Sequence, residues 1–145
     1  MREVGIEELG KLYECLEALA KHHNQVSTYF KGCYPLTPIE QTIKRFEDDL
    51  GQGKSSIAVV EDGDKVVGFC KINVDGTAGT LEYLIVLGEE RGKGYGAALM
   101  SWALDNFRKL QVKHVEVKVV YGNEAMGLYK KFGFKEKSVV LGLNL

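Results

Sequence analysis

Residues 91–97 read Arg-Gly-Lys-Gly-Tyr-Gly-Ala, with glycine at Gly92, Gly94 and Gly96 and cations at Arg91 and Lys93. The stretch before them, Leu81-Glu-Tyr-Leu-Ile-Val-Leu87, is apolar and rich in β-formers, which predicts a buried strand. After them, Tyr95, Leu99, Trp102, Ala103 and Phe107 recur at helical spacing. A glycine-rich turn between strand and helix leaves backbone N–H groups free at the helix start. Those donors and the positive end of the helix dipole suit an anion, phosphate above all. Glycine lets the backbone approach the anion and take positive φ, and Arg91 and Lys93 add charge. The plainer reading is a tight turn that only joins strand to helix.

The totals narrow what such a site serves. A chain of 145 residues suits one domain around one core. A net charge of −1 gives no field to gather nucleic acid or an anionic membrane, so neither is expected as a partner. No apolar run approaches the roughly 20 residues that span a bilayer. The first residues, Met1-Arg-Glu-Val-Gly-Ile-Glu-Glu8, carry acids where a signal peptide has an apolar run, so a cytoplasmic protein is expected. Cys15, Cys33 and Cys70 are odd in number and far apart, which points to reduced thiols and to no metal.

The elements that must position the turn follow from periodicity. Residues 2–4 could form a short strand. Ile6, Leu9, Leu12, Leu16, Leu19 and His23 mark one face of a helix. Residues 24–36 form an aromatic-rich connection with Tyr29, Phe30 and Tyr34. Thr37-Pro38-Ile39-Glu40 predicts a capping box, and Ile39, Ile43, Phe46 and Leu50 a buried helical face that Gly51 ends. Ser56–Glu61, Val66–Val74 and Thr80–Val86 predict an antiparallel meander, turned at residues 62–65 and 75–79. A helix over roughly 94–109 follows, then a strand over His114–Val120, in parallel crossover. Asn123 caps a last helix through about Lys131, and Ser138–Leu143 predicts a terminal strand. The sum is an α/β fold with a mixed sheet, an antiparallel meander plus one parallel pair, flanked by about four helices.

Arg91-Gly-Lys-Gly94-Tyr-Gly96, the preceding strand Tyr83-Leu-Ile-Val86, and Asn123-Glu-Ala-Met-Gly-Leu-Tyr129-Lys-Lys-Phe-Gly133-Phe134 together resemble the GNAT N-acetyltransferase superfamily. The first matches that family's Arg or Gln, two residues, Gly, one residue, Gly or Ala motif in full. The match covers about residues 55–143. The resemblance implies a single GNAT-like domain over residues 1–145 that uses acetyl-CoA as acyl donor, without a metal. It implies that the strand before the turn and the strand after the helix splay apart around the pantetheine arm. Ile85, Val86 and Leu87 would then hold that arm, Arg91, Gly92, Lys93, Gly94, Tyr95, Gly96 and Ala97 the pyrophosphate, and Asn123 the pantetheine or its channel. Dimers are common in the family, which leaves a homodimer open.

Acetyl transfer to an amine makes its own demands. An alkylammonium with a pKa of about 10.4 must lose a proton, the oxyanion needs a donor, and the thiolate leaves more easily with a proton. Glu82 is the candidate base: alternation sets it on the strand face opposite Leu81 and Tyr83, and the family's strand is similar there. A salt-bridged strand carboxylate is the plain alternative. Tyr129 matches the family's tyrosine and is the candidate acid; otherwise it is a core residue of an amphipathic helix. His22, His23 and His114 read as helix-end and strand residues, with His22 and His23 near the acceptor side. The acceptor is a small-molecule or peptide amine, with Tyr29, Phe30 and Tyr34 as an apolar wall and Glu17, Glu40 and Asp48 as partners for a cation. Two other functions stay open. One is a non-catalytic acyl-CoA-binding module, which needs neither Glu82 nor Tyr129. The other parses Gly92-x-Gly94-x-x-Ala97 as a dinucleotide fingerprint, with Glu116 as the ribose-binding acid.

Overall fold

The structure, a computed structural model, describes residues 1–145. Its sheet has five strands in the order β1 (Arg2–Glu3), β2 (Ser55–Asp62), β3 (Lys65–Asp75), β4 (Ala78–Val86) and β5 (His114–Val117). The first four pair antiparallel and β4 pairs with β5 parallel, as expected for the mixed sheet. Four α-helices cover it: α1 (Tyr13–Val26), α2 (Ile39–Gly51), α3 (Tyr95–Lys109) and α4 (Met126–Lys131).

Alternation along β3 sorts the helices onto two faces. Phe69 meets Phe46 of α2 at 6.3 Å between ring centroids, and Lys71 reaches Asp49 of the same helix. Cys70 between them turns to the other side, towards Tyr129 of α4. Gly79 of β4 also faces that side: a Cβ there would meet Phe107 of α3 at 2.6 Å and Val112 at 3.0 Å. Leu99, Met100, Ala103 and Phe107 form the buried face of α3, at the spacing the sequence shows.

Several local expectations are corrected. The first helix is split: Ile6–Leu12 is a 3-10 segment and only Tyr13–Val26 is α-helix, with Gly10, a poor helix former, before the change. No capping box forms, because Pro38 takes the N-cap position and Glu40 instead accepts a hydrogen bond from the Tyr13 hydroxyl at 3.2 Å. Gly51 stays within α2, and Gly53 takes the positive φ after it. The β3–β4 turn is tighter than expected, since Asp75 already pairs with Ala78.

Two strand expectations fail. β5 ends at Val117, short of Val120, where its pairing with β4 stops. Residues 138–143 form no strand, and Val139, Val140, Leu141 and Leu143 lie exposed. Side-chain bonds from Lys137 to His114 and Glu116 tie the base of this segment to β5, but no backbone ladder follows. High β-propensity alone does not make a strand: β5 has a free outer edge, and residues 138–143 do not pair with it.

Prediction: Gly79→Ala forces its methyl group onto Phe107 and Val112, and should destabilise the fold by about 1–3 kcal/mol. A urea midpoint that falls at unchanged slope would register it.

Candidate active site

The ladder between β3 and β4 slips by one residue. Lys71 pairs with Tyr83 and Ile72 with Leu81, which leaves Glu82 as the extra residue of a bulge. The parallel pairing of β4 with β5 ends at the same point, on Leu81 and Val117. The bulge corrects the expected alternation. Tyr83 packs on Phe46 at 5.1 Å and its hydroxyl accepts from Arg45 Nη2 at 3.2 Å, while Glu82 bonds to the same arginine. Both residues therefore face α2.

Beyond the bulge, β4 has one paired edge and one open edge. Leu87 donates to the Val67 carbonyl at 2.9 Å. By the alternation of an antiparallel ladder, Ile85 and Tyr83 also turn their backbone groups to β3, and Leu84 and Val86 turn theirs outward, where β5 has ended. Of the three residues expected to hold a pantetheine arm, only Val86 presents its backbone to the gap. Ile85 and Leu87 are buried, with their peptide groups turned to β3. Leu84, one period away from Val86, presents its backbone to the same gap. Its signal was the period of two, masked by the bulge.

The turn that follows has the geometry of an anion site. Gly92 and Gly94 take positive φ, at 82° and 84°, and Gly94 is the N-cap of α3 without a side-chain cap. No N–H from Gly92 through Ala97 makes a hydrogen bond within the chain; the first bond of the helix comes from Ala98 to the Gly94 carbonyl at 3.0 Å. No acid stands in the first turn of α3 to neutralise its dipole. Gly96 is helical and a Cβ there would touch Leu128 at an ordinary 3.5 Å, so its role is packing space rather than φ. The two cations differ. Lys93 pairs with Glu90 at 2.6 Å, whereas Arg91 lies 3.8 Å from Glu124 and 3.4 Å from the Val86 carbonyl. Arg91 is thus the freer charge.

The far wall of the gap comes from the connection after β5. A Cβ on Gly122 would run into the Val26 carbonyl, so glycine lets this connection meet the end of α1. Thr28 N–H donates to the Tyr121 carbonyl at 3.3 Å, and Tyr29 stacks on Tyr121 with ring centroids 6.1 Å apart. Tyr34 instead packs edge-on against His23, and Asn24 holds its backbone, so Tyr34 is structural. Asn123 caps the start of the α4 turn through Oδ1, which accepts from Ala125 N–H at 3.0 Å. His22 approaches Glu124 at 3.9 Å and His114 lies out on the β5 edge.

Glu82 and Tyr129 come to the parting of β4 and β5 from opposite faces. Burial by itself would raise the Glu82 carboxyl, but hydrogen bonds from Lys71, Asn73 and Arg45 hold it below the usual carboxylate range. Lys71 is wholly buried and is held by Asp49 at 2.7 Å, Asn73 at 2.8 Å and Glu82. A charge so placed is tolerable only because every partner is present. Glu17 and Asp48 stand outside this cluster; Asp49, one residue on and three beyond Phe46 on the buried stripe of α2, is the acid that joins it. On the other face, burial and the neighbouring Cys70 push the Tyr129 phenol up to about 12, so it stays protonated at neutral pH. No buried side-chain polar atom lacks a partner, and the Tyr129 hydroxyl, which bonds to no protein group, therefore keeps some contact with solvent although the residue is buried.

The family model for the acetyltransferase (GNAT) family matches residues 12–134. The chain belongs to the GNAT acetyltransferase family. Solved GNAT structures share the fold at low identity. The PaiA N-acetyltransferase of Thermoplasma acidophilum, in complex with coenzyme A, superposes with a TM-score of 0.82 at 17% identity, over 96% of this chain and 91% of that one. A GCN5-related N-acetyltransferase from Ralstonia eutropha gives 0.80 at 16%, over 99% and 96%. A GNAT family acetyltransferase from Streptococcus pneumoniae gives 0.71 at 22%, over 99% and 96%. No curated protein matches in sequence. As a GNAT chain, with one parallel strand pair and Glu116 tied to Lys137, it does not have the doubly wound sheet that the dinucleotide reading requires. The residues present fit coenzyme A: a row of free N–H groups with Arg91 for phosphates, and an open strand edge for an amide-bearing arm. No helix is long and apolar enough to cross a membrane, and no cluster of His, Cys, Asp and Glu could hold a metal ion.

Prediction: Lys71→Met removes the buried cation between Asp49 and Glu82 and leaves only the half-exposed Arg45 on both, and should cost about 3–5 kcal/mol of stability in urea unfolding. Because Glu82 titrates low in the fold, its contribution is present above the ordinary carboxylate range and is lost as pH falls through the folded value. Urea midpoints followed from neutral to acid pH should therefore show a shallower acid loss in Lys71→Met than in the wild type.

Proposed function

We propose that the protein transfers an acetyl group from acetyl-CoA to a primary amine by direct attack on the thioester. The observation that carries the reading is the open edge of β4, Leu84 and Val86, leading into six free N–H groups at the start of α3. The pyrophosphate would lie on Gly92–Ala97 beside Arg91, and the arm along Val86 and Leu84, with its carbonyl end at the bulge. A cytoplasmic place fits the free thiols of Cys15, Cys33 and Cys70.

The amine would approach from the α2 face, where Glu82 is charged. Moving a proton from an alkylammonium to an ordinary carboxylate is uphill by about 6 pKa units, or about 8 kcal/mol. A carboxylate held still lower is a poorer base. Glu82 therefore attracts and orients the cation; the attacking species is the neutral amine, whose ammonium proton has first passed to solvent, and Glu82 takes the next proton, directly or through water, once bonding to the carbonyl carbon has acidified the nitrogen. The Leu84 N–H, on the open edge of β4, would donate to the oxyanion. When the C–S bond breaks, the thiolate on the opposite face takes the Tyr129 proton. Acid and base on opposite faces of one sheet match an acceptor and a cofactor that arrive from opposite sides.

Prediction: acetyl-CoA at 100 times its Kd should raise stability by about 2.7 kcal/mol, and NAD(H) should not. Stabilisation by NAD(H) alone would sink the reading. Thiol release with a panel of amines then separates an enzyme from a module that only binds acyl-CoA. Tyr129→Phe should lower kcat by about 10²–10⁴-fold while acetyl-CoA stabilisation survives; unchanged turnover would remove Tyr129 from the acid role.

A further inference from the structure

Arg45 is the one cation on Glu82 that comes from outside the sheet. Its guanidinium bonds to Glu82 Oε1, lies 3.4 Å from Asp49 Oδ2 and 3.2 Å from the Tyr83 hydroxyl, and sits over the rings of Phe46 and Tyr83 at 5.3 and 6.0 Å. Lys71 and Asn73 hold the other carboxylate oxygen, Oε2, from inside the fold. Lys71 is sealed from solvent, whereas the Arg45 side chain keeps 45% of its exposure. Two carboxylates and two aromatic faces thus form a box for a cation on the solvent side of the cluster, and the chain fills it with its own side chain.

We propose that Arg45 is an internal stand-in for the acceptor, and that this box, lined by Glu82, Asp49, Tyr83 and Phe46, takes a protonated alkylamine that displaces the guanidinium. The inference rests on the reading of Glu82 as the acceptor-side carboxylate. Oε1 is the oxygen that an incoming amine can reach, and Arg45 covers it. An ammonium arriving there inherits its hydrogen bonds and its ring contacts, so the exchange costs no bare carboxylate. The energetic balance selects the acceptor class. A cation replaces Arg45 like for like, whereas an anionic acceptor would meet Glu82 and Asp49 with their nearest exposed countercharge swung away. Arg45 is then a specificity-determining residue, which admits cationic amines by leaving.

The test uses small probes on the whole chain. Butylammonium and methylguanidinium are titrated into wild type, Arg45→Ala and the double variant Arg45→Ala/Glu82→Gln, and followed by amide NMR shifts of residues 82 and 83. The emptied box of Arg45→Ala should bind both cations saturably. Wild type should bind them about tenfold or more weaker, because its site is mostly occupied. The double variant should lose the binding. Equal affinity in wild type and Arg45→Ala, or no response in Arg45→Ala, overturns the proposal. So does butyrate binding that requires Arg45, which would make the guanidinium a carboxylate receptor. Acetyl-CoA stabilisation, measured on the same three proteins, reports an intact fold and keeps the two readings apart. If acetyl-CoA fails on wild type the transferase reading falls, and if only the cations fail the stand-in falls. Arg45→Gln replaces Arg45→Ala if the alanine variant does not fold.

Discussion

Strands β4 and β5 stay hydrogen-bonded only from Ala78 to Leu81, and the backbone left unpaired beyond that point is the constraint around which the chain is arranged. Peptide groups inside a fold require partners. A sheet that continued would supply them; here the bulge at Glu82 coincides with the end of the pairing, and the connection after β5 runs to the end of α1 instead. Leu84 and Val86 are left as an open edge inside a walled gap. The same event sets Glu82 and Tyr83 on one face, and brings the end of β4 to a turn whose six N–H groups are also open. Strand edge and helix start thus present two sets of unpaired donors, separated by a turn in which Leu87, Glu90 and Arg91 are paired.

The bulge is held from one face by a buried charge. Lys71 sits opposite Tyr83 at the bulge and takes Asp49 from α2 and Glu82 from β4 as partners. A buried ion pair contributes little net stability but punishes the loss of one member, so it acts more as a register pin than as glue. It fixes α2 over the bulge, and with α2 come Arg45 and Phe46, which line the charged face of the sheet beside Glu82. On the opposite face an apolar setting does the reverse for Tyr129, keeping a phenol protonated without a partner. One short stretch of sheet therefore separates a polar, charged face from an apolar one.

Local signals were legible where a single element carries them. The turn at Arg91–Gly96 lies between a strand and a helix as its residue types require, and the positive φ at Gly92 and Gly94 is what glycine permits. The meander, the parallel pair and the buried face of α3 follow from periods of 2 and 3.6. What failed to show depends on residues distant in sequence. Asp48 and Asp49 are equivalent to an eye looking for an acid, and only the packing of Phe46 on Phe69 decides that Asp49 points inward. Glu40 had a cap to make and found Tyr13 instead. Residues 138–143 have the composition of a strand but pair with no neighbour, although β5 keeps a free outer edge.

By itself, then, the sequence determined the chemistry that is local: a phosphate-sized nest of N–H groups, the helix behind it, and the tyrosine and asparagine of the last helix in their family spacing. The tertiary structure alone decided which peptide groups are free. A strand's side chains and peptide groups both alternate with a period of two, so one extra residue at Glu82 exchanges the faces of everything beyond it. The open edge accordingly falls on Leu84 and Val86 rather than on all of Ile85, Val86 and Leu87, and Tyr83 turns to the same face as Glu82. A bulge is a mismatch between two strands, β3 and β4, and no residue of either one records it alone.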